Sequence, residues 1–328
     1  MRFIKLLKTL MNYINNLHLN GKGLFIFSDP GGAKPLLSLI SLLQIKDYKI
    51  ISDRTYDFYN DFGLEVKLYK ENDEIAEFEN YRPDFVFTAT SYTSSLEIKF
   101  INEGNNLKIP TYSFIDHYTN YNLRFKLNSK YIYPKNICLI DEKAVKIAQS
   151  EKLDLKSNFI ITGNFYHDFL KDWKPLDSKS LFFKSNHLNL DKKVIVVALE
   201  PLSNIGGLNT YGFDESAVLK IIHDTLIQIP NNDFQVVLKL HPNQNISNLR
   251  LSNNLSNFFI IGDGIHTNSL IFYSDIIIGM YSSFLIESSL FNKKILRVLP
   301  KQKFIDPLGG LNIGIICSNS IELLINLQ

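Results

Sequence analysis

Short runs of β-branched and aromatic residues alternate along the chain with longer stretches whose apolar positions recur at helical spacing. The first run covers 23–28 and is followed by a helical pattern over 34–44; further strand patterns fall at 48–52, 65–69, 84–88, 111–115, 137–140 and 159–162. Strands separated by helical segments predict parallel βαβ units with helices on both faces of one sheet. After Gly163 the pattern loosens through Trp173, Lys174 and Pro175 into a Lys/Ser/Asn-rich stretch ending at Asp191. A second alternation then begins, with strands predicted at 193–199, 234–240, 258–261, 275–279, 294–298 and 313–316. Helices are predicted near 214–229, 267–273 and 283–291, with a terminal helix after the last strand. The expected fold class is α/β, with two doubly wound domains, 1–165 and 192–328, joined by a linker over 166–191 and facing each other across a cleft. Open sheets of this kind bind ligands at the carboxyl ends of their strands, so the chemistry is sought there.

The length, 328 residues, favours two domains over one, and 45% hydrophobic with 21% charged residues is the balance of a folded protein. Lysine and arginine number 35 against 33 acidic residues, too even for a chain that holds a nucleic-acid backbone by charge. No apolar run reaches the roughly 18 residues that span a bilayer. Phe3, Ile4, Leu6, Leu7, Leu10, Met11 and Ile14 follow helical spacing while Arg2, Lys5 and Lys8 take the other face. A short basic amphipathic helix over 1–18 results, which either packs on its own domain or touches an anionic membrane surface. A cytoplasmic protein, with that helix as a route to the inner face of the membrane, is expected. Cys138 and Cys317 lie far apart in apolar runs, as reduced core thiols do.

The strongest chemical signal is a pair of elements in the second half. Lys239-Leu240-His241-Pro242-Asn243 and Gly279-Met280-Tyr281-Ser282-Ser283-Phe284-Leu285-Ile286-Glu287 each begin where a predicted strand ends. His241 donates one hydrogen bond when neutral and two when protonated, and Pro242 fixes the turn that aims the ring. Lys239 adds a positive charge. Ser282 and Ser283 bring hydroxyls and backbone amides to a helix start, where unpaired N–H groups and the dipole favour an anion. Glu287, one turn on, suits hydrogen bonds from a ribose or base. Either element alone also reads as ordinary structure, a strand-end turn or an N-cap; their order and spacing together are those a nucleotide site requires. Ser203, in the Gly-containing loop 200–207, fits a donor phosphate loop or a mobile connection.

In the first half, Ser28-Asp29-Pro30-Gly31-Gly32-Ala33-Lys34 joins a strand to a helix, and Gly31 and Gly32 permit close backbone approach. The segment is neither a GxGxxG nor a Walker loop, which weighs against NAD binding and ATP hydrolysis. Asp116-His117 pairs a carboxylate with an imidazole suited to proton transfer, and Arg124 offers a cation to a charged acceptor. The hydroxyl-rich run 90–95 before Glu97 reads as a helix cap whose side chains also suit an acceptor.

The His-Pro element followed by Ser-Ser-x-x-x-Glu resembles bacterial GT-B glycosyltransferases of the sialyl-, polysialyl- and Kdo-transferase type, and CDP-glycerol polyol-phosphate transferases. Ile161-Thr162-Gly163-Asn164 is similar to the Thr-Gly-Asn step that closes the first domain in such enzymes and in nonhydrolysing UDP-sugar 2-epimerases, with Phe165 where a proline is usual. The resemblance implies two Rossmann-like domains and nucleotide phosphates contacted by His241, Pro242, Ser282 and Ser283. It implies Asp29 with Gly31 as the nearest match to an Asp/Glu-x-Gly acid or base. The metal-dependent GT-A transferases carry Asp-x-Asp, which this sequence lacks, so no metal and no cofactor beyond the nucleotide-sugar donor are expected.

The expected activity is metal-independent transfer of a sugar from a nucleotide-activated donor, CMP-sugar first, to a saccharide or lipid-linked saccharide acceptor in capsule or lipopolysaccharide synthesis. Asp29, Asp116 or His117 would take the acceptor proton, while His241 and the Ser282-Ser283 helix start would stabilise the departing phosphate. The alternatives are a CDP-polyol phosphotransferase, a UDP-sugar 2-epimerase, and a non-catalytic nucleotide-sugar-binding partner in polysaccharide assembly.

Overall fold

The computed structural model describes residues 17–71, 73–91, 93–229, 233–241, 259–262, 264–300 and 306–327. The chain divides into two compact units, Met1–Phe169 and Leu170–Gln328. The amphipathic segment read over 1–18 lies outside the described residues except for its last two positions, and Pro242 lies outside them too.

In the first unit the strands are β1 (Gly23–Phe27), β2 (Tyr48–Ser52), β3 (Lys67–Leu68), β4 (Phe85–Thr88) and β5 (Thr111–Ile115), a small ribbon of β6 (Lys126–Leu127) and β7 (Lys130–Tyr131), then β8 (Asn136–Leu139) and β9 (Asn158–Ile161). Seven of them form a parallel sheet in the order β3-β2-β1-β4-β5-β8-β9. All five residues of β1 are buried, because helices cover both faces of a parallel sheet and leave no polar side to alternate with. Its core is aromatic: Phe25 meets Phe85 edge-on at 5.7 Å and stacks on Phe87 at 6.1 Å, and Phe87 stacks on Tyr112 at 5.6 Å.

The second unit carries β10 (Lys193–Ala198), β11 (Phe234–Lys239), β12 (Phe259–Ile261), β13 (Ile276–Gly279), β14 (Lys294–Val298) and β15 (Ile315–Cys317). They form a parallel sheet in the order β12-β11-β10-β13-β14-β15. The strand order therefore reverses twice in the molecule, between β1 and β4 and between β10 and β13. At such a switch point the connections leave in opposite directions and open a crevice at the carboxyl ends of the two strands. Each unit is Rossmann-like, as expected for the fold class. Among the described residues no helix is long and apolar enough to cross a membrane.

The differences from the sequence reading have local causes. The helix predicted from 34 runs Pro30–Leu43 and so starts four residues earlier. Pro30 occupies its first turn and the Asp29 carbonyl accepts the Gly32 and Ala33 amides at 3.1 and 2.9 Å, so a Pro-Gly-Gly run that reads as a loop is helical. The strand predicted over 65–69 shrinks to two exposed residues at a sheet edge. The stretch read as a linker carries two helices, Phe165–Leu170 and Lys179–Ser185, and buries Phe182 and Phe183 in the core of the second unit. Its polar composition hid those two anchors.

Gly32 lies where the first helix passes closest to the loop after β4: a Cβ there would meet the Cβ of Ala89 at 2.3 Å. Gly32→Ala is expected to cost about 1–3 kcal/mol of stability through this overlap, despite alanine's better helix propensity. Urea denaturation checks it; an unchanged or raised midpoint would contradict the close approach.

Candidate functional site

The carboxyl edge of the first sheet gathers charge from loops after four strands. Asp29, next after Ser28 at the end of β1, takes the Arg54 guanidinium on Oδ1 at 2.6 Å and the Thr93 hydroxyl at 2.9 Å, while its Oδ2 accepts from Ser91 Oγ at 2.6 Å. Arg54, just beyond β2, also donates to Thr93 Oγ1 at 2.6 Å. Both oxygens of Asp29 are thus engaged, and the hydroxyls read as a cap serve the carboxylate instead. Ser94 follows the cap reading more closely, accepting the Leu96 amide at 3.0 Å while donating to Asp53 Oδ2 at 2.7 Å.

Asp116 follows β5 and takes the buried Arg124 on Oδ1 at 3.2 Å. Arg124 Nη1 also donates to Thr90 Oγ1 at 3.0 Å, so this residue, expected to meet an acceptor, is instead built into the wall beneath Asp116. A Cβ on residue 31 would lie 2.4 Å from Asp116 Oδ2. Gly31 is what lets that carboxylate rest against the start of the Pro30–Leu43 helix, where the dipole favours a negative charge. His117 is exposed, with Nδ1 3.1 Å from Thr119 Oγ1. Asp29, Asp116, Gly31, Gly32 and Arg124 therefore share one edge, with His117 on its rim.

Glu97 was read only as part of a cap. It is buried in the first turn of the helix Leu96–Asn106 and reaches across to Ser28, accepting the amide on Oε1 at 2.9 Å, with the hydroxyl hydrogen-bonded to Oε2 at 3.0 Å. Burial pushes its carboxyl up to about 8, and the charges of Asp53 and Asp29 push in the same direction.

In the second unit, Glu200 follows β10 and is buried; its Oε1 accepts the Tyr281 amide at 3.1 Å across the β10/β13 crevice. Burial raises its pKa against the opposing pull of Ser282, the Tyr281 amide and Arg297. Ser282 is the N-cap residue of the helix Ser283–Leu290, yet its side chain makes no cap bond; it lies against Glu200 instead. The Ser283 end of that helix is exposed, and Glu287 is buried one turn in. His241 stands beyond the carboxyl end of β11, half-buried. Burial and the neighbouring Lys239 charge both lower its pKa, so the imidazole is neutral at pH 7 and offers one N–H.

Ser203 is drawn elsewhere: its amide donates to Glu215 Oε2 at 2.9 Å and its hydroxyl to Glu215 Oε1. That pairing ties its loop to the helix Glu215–Leu226. The structure brings Ser282 and Ser283 to the switch point, with His241 and Lys239 at the end of the adjacent strand. It adds Glu200, Glu97 and Arg54, none of which the sequence reading assigned to a site. Glu200 and Arg54 each stand within two residues of a strand end, the one signal that marks them; Glu97 has none, since its partner is 69 residues away.

No protein-family model matches the chain, and no curated protein matches it in sequence. Solved structures do. UDP-GlcNAc 2-epimerase from Neisseria meningitidis, bound to UDP-GlcNAc, is similar with a TM-score of 0.65 at 16% identity, over 94% of this chain and 90% of that one. A putative UDP-N-acetylglucosamine 2-epimerase from Listeria monocytogenes gives a TM-score of 0.66 at 12% identity, over 94% and 87%. The wall teichoic acid polymerase TagF gives 0.57 at 14% identity, over 99% and 88%. These three come from the epimerase and polymerase side of the expected resemblance, not from its sialyl- or Kdo-transferase side. At such identities the likeness is one of fold, and the fold is that of the GT-B proteins.

Proposed function

We propose that this protein acts on a nucleotide-activated sugar, and that a UDP-sugar 2-epimerase reading stands ahead of CMP-sugar transfer. The observation that carries it is the fold likeness over 94% of the chain to an epimerase bound to UDP-GlcNAc. The residues are compatible with that chemistry. Inverting a carbon that bears hydrogen needs a proton to leave one face and a proton to return to the other, work for carboxyl groups. Of Asp29 and Asp116, Asp116 is the better candidate. Asp29 has both oxygens taken by Arg54, Ser91 and Thr93, whereas Arg124 holds only one oxygen of Asp116. In the second unit the amides at Ser283 and the neutral His241 N–H are proposed to hold the nucleotide phosphates. Transfer to an acceptor is the second reading, supported by the likeness to TagF over 99% of the chain.

Incubation with UDP-GlcNAc in D2O, with no acceptor, separates the readings. An epimerase incorporates deuterium at C2 and forms the 2-epimer; a transferase leaves C2 protonated and turns over only when an acceptor is added. Binding of UDP with neither outcome would favour a non-catalytic partner.

Asp116→Asn is expected to lower turnover by about 10²- to 10⁴-fold with UDP affinity intact, the usual range for a lost proton-transfer group. Full activity in this variant would remove Asp116 from the chemistry. His241→Ala deletes a hydrogen bond to an anionic phosphate and should weaken UDP binding by about 12- to 160-fold, equivalent to about 1.5–3 kcal/mol. Calorimetric titration measures it, and unchanged affinity would take His241 out of the site.

A further inference from the structure

We propose that Glu97 is a positioning residue: its carboxyl group bridges the crevice between β1 and β4, gripping Ser28 through both oxygens and so fixing the turn that carries Asp29. The inference rests on the reading of that edge as the reacting one, and adds a residue to it. Ser28 is wholly buried, and each of its polar groups is committed: the amide and hydroxyl to Glu97 at 2.9 and 3.0 Å, the carbonyl to the Tyr56 hydroxyl at 2.8 Å. The next residue is Asp29, whose carbonyl starts the Pro30–Leu43 helix and whose side chain anchors Arg54. One buried carboxyl thus sets the backbone from which Asp29 and the Gly31 seat of Asp116 are both built.

The surroundings decide its charge. Asp53 and Asp29 are the titratable groups that act on it, and both repel a second negative charge. Arg54, the nearby cation, is spent on Asp29 and Thr93. Glu97 therefore holds its proton at neutral pH, and its Oε2–H then donates to Ser28 Oγ where a carboxylate would accept from that hydroxyl. Glutamine has the same shape and can make both contacts, its Oε1 accepting the Ser28 amide and its Nε2 donating to Ser28 Oγ. Alanine leaves a buried amide and hydroxyl with no partner.

The sign of the pH effect follows. The folded carboxyl sits at about 8 against an ordinary value of 4.5. Its contribution to stability is complete below 4.5 and is lost as pH rises through about 8, because the unfolded chain releases the proton first. Wild-type protein should therefore lose stability relative to Glu97→Gln across that interval.

The experiment compares full-length wild type, Glu97→Gln and Glu97→Ala by infrared spectroscopy, urea denaturation at several pH values and amide hydrogen exchange. Glu97→Gln is expected to remove a carboxylic-acid carbonyl band at pH 7 and to flatten the fall in midpoint between pH 5 and 8. Glu97→Ala should speed exchange of the Gly32 and Ala33 amides, which bond to the Asp29 carbonyl, by about tenfold or more, and Glu97→Gln should restore protection. Turnover should follow the same order, lost in Glu97→Ala and rescued in Glu97→Gln. A band or pH slope unaltered in Glu97→Gln overturns the neutral clamp. Protection or turnover alike in Glu97→Ala and wild type, or not rescued by glutamine, overturns the positioning role. If wild type turns over no sugar nucleotide, the functional reading fails by itself and the spectroscopic and exchange results still decide the proposal.

Discussion

A carboxyl group taken out of water has to be paired with a cation, saturated with hydrogen bonds or left protonated, and each switch point of this protein holds a buried one. In the first unit Glu97, from the helix after β4, reaches to Ser28 at the end of β1. In the second, Glu200, from the end of β10, reaches to the Tyr281 amide after β13. The two bridges join equivalent strands in opposite directions. In the first unit Ser91 and Thr93, after β4, also donate to Asp29, after β1, so side chains tie the crevice walls at two levels.

The bridges let short connecting loops carry charge in defined places. Asp29 pairs with Arg54 after β1 and β2, Asp116 with Arg124 after β5, and Gly31 and Gly32 lack the side chains that would push the helix away from Asp116 and Ala89. The partly exposed Asp29–Arg54 pair contributes little to stability. Its consequence is geometric, since fixed charges at the end of a sheet orient a polar ligand without rearranging when it binds.

Strand and helix periods made the two parallel sheets readable from the sequence, because fully buried strands such as Leu24–Phe27 are continuous apolar runs bounded by turn residues. The His241 and Ser282-Ser283 elements were readable for the same reason, lying where strands end. Glu97 and Arg54 were not. Their roles come from contacts between loops of different strands, and in sequence a glutamate at a helix start looks like a dipole partner whether it faces water or crosses a crevice. Phe182 and Phe183 were hidden by the opposite effect, two core anchors inside a stretch whose lysines, serines and asparagines read as a linker.

Nucleotide phosphates are proposed to sit at the Ser283 helix start of the second unit. A crystal structure of the protein with UDP tests this most directly. A phosphate oxygen is expected within hydrogen-bond distance of the Ser283 amide, with the His241 ring donating to the same group. UDP bound elsewhere in the second unit, with Ser283 facing solvent and His241 turned to protein, would contradict it.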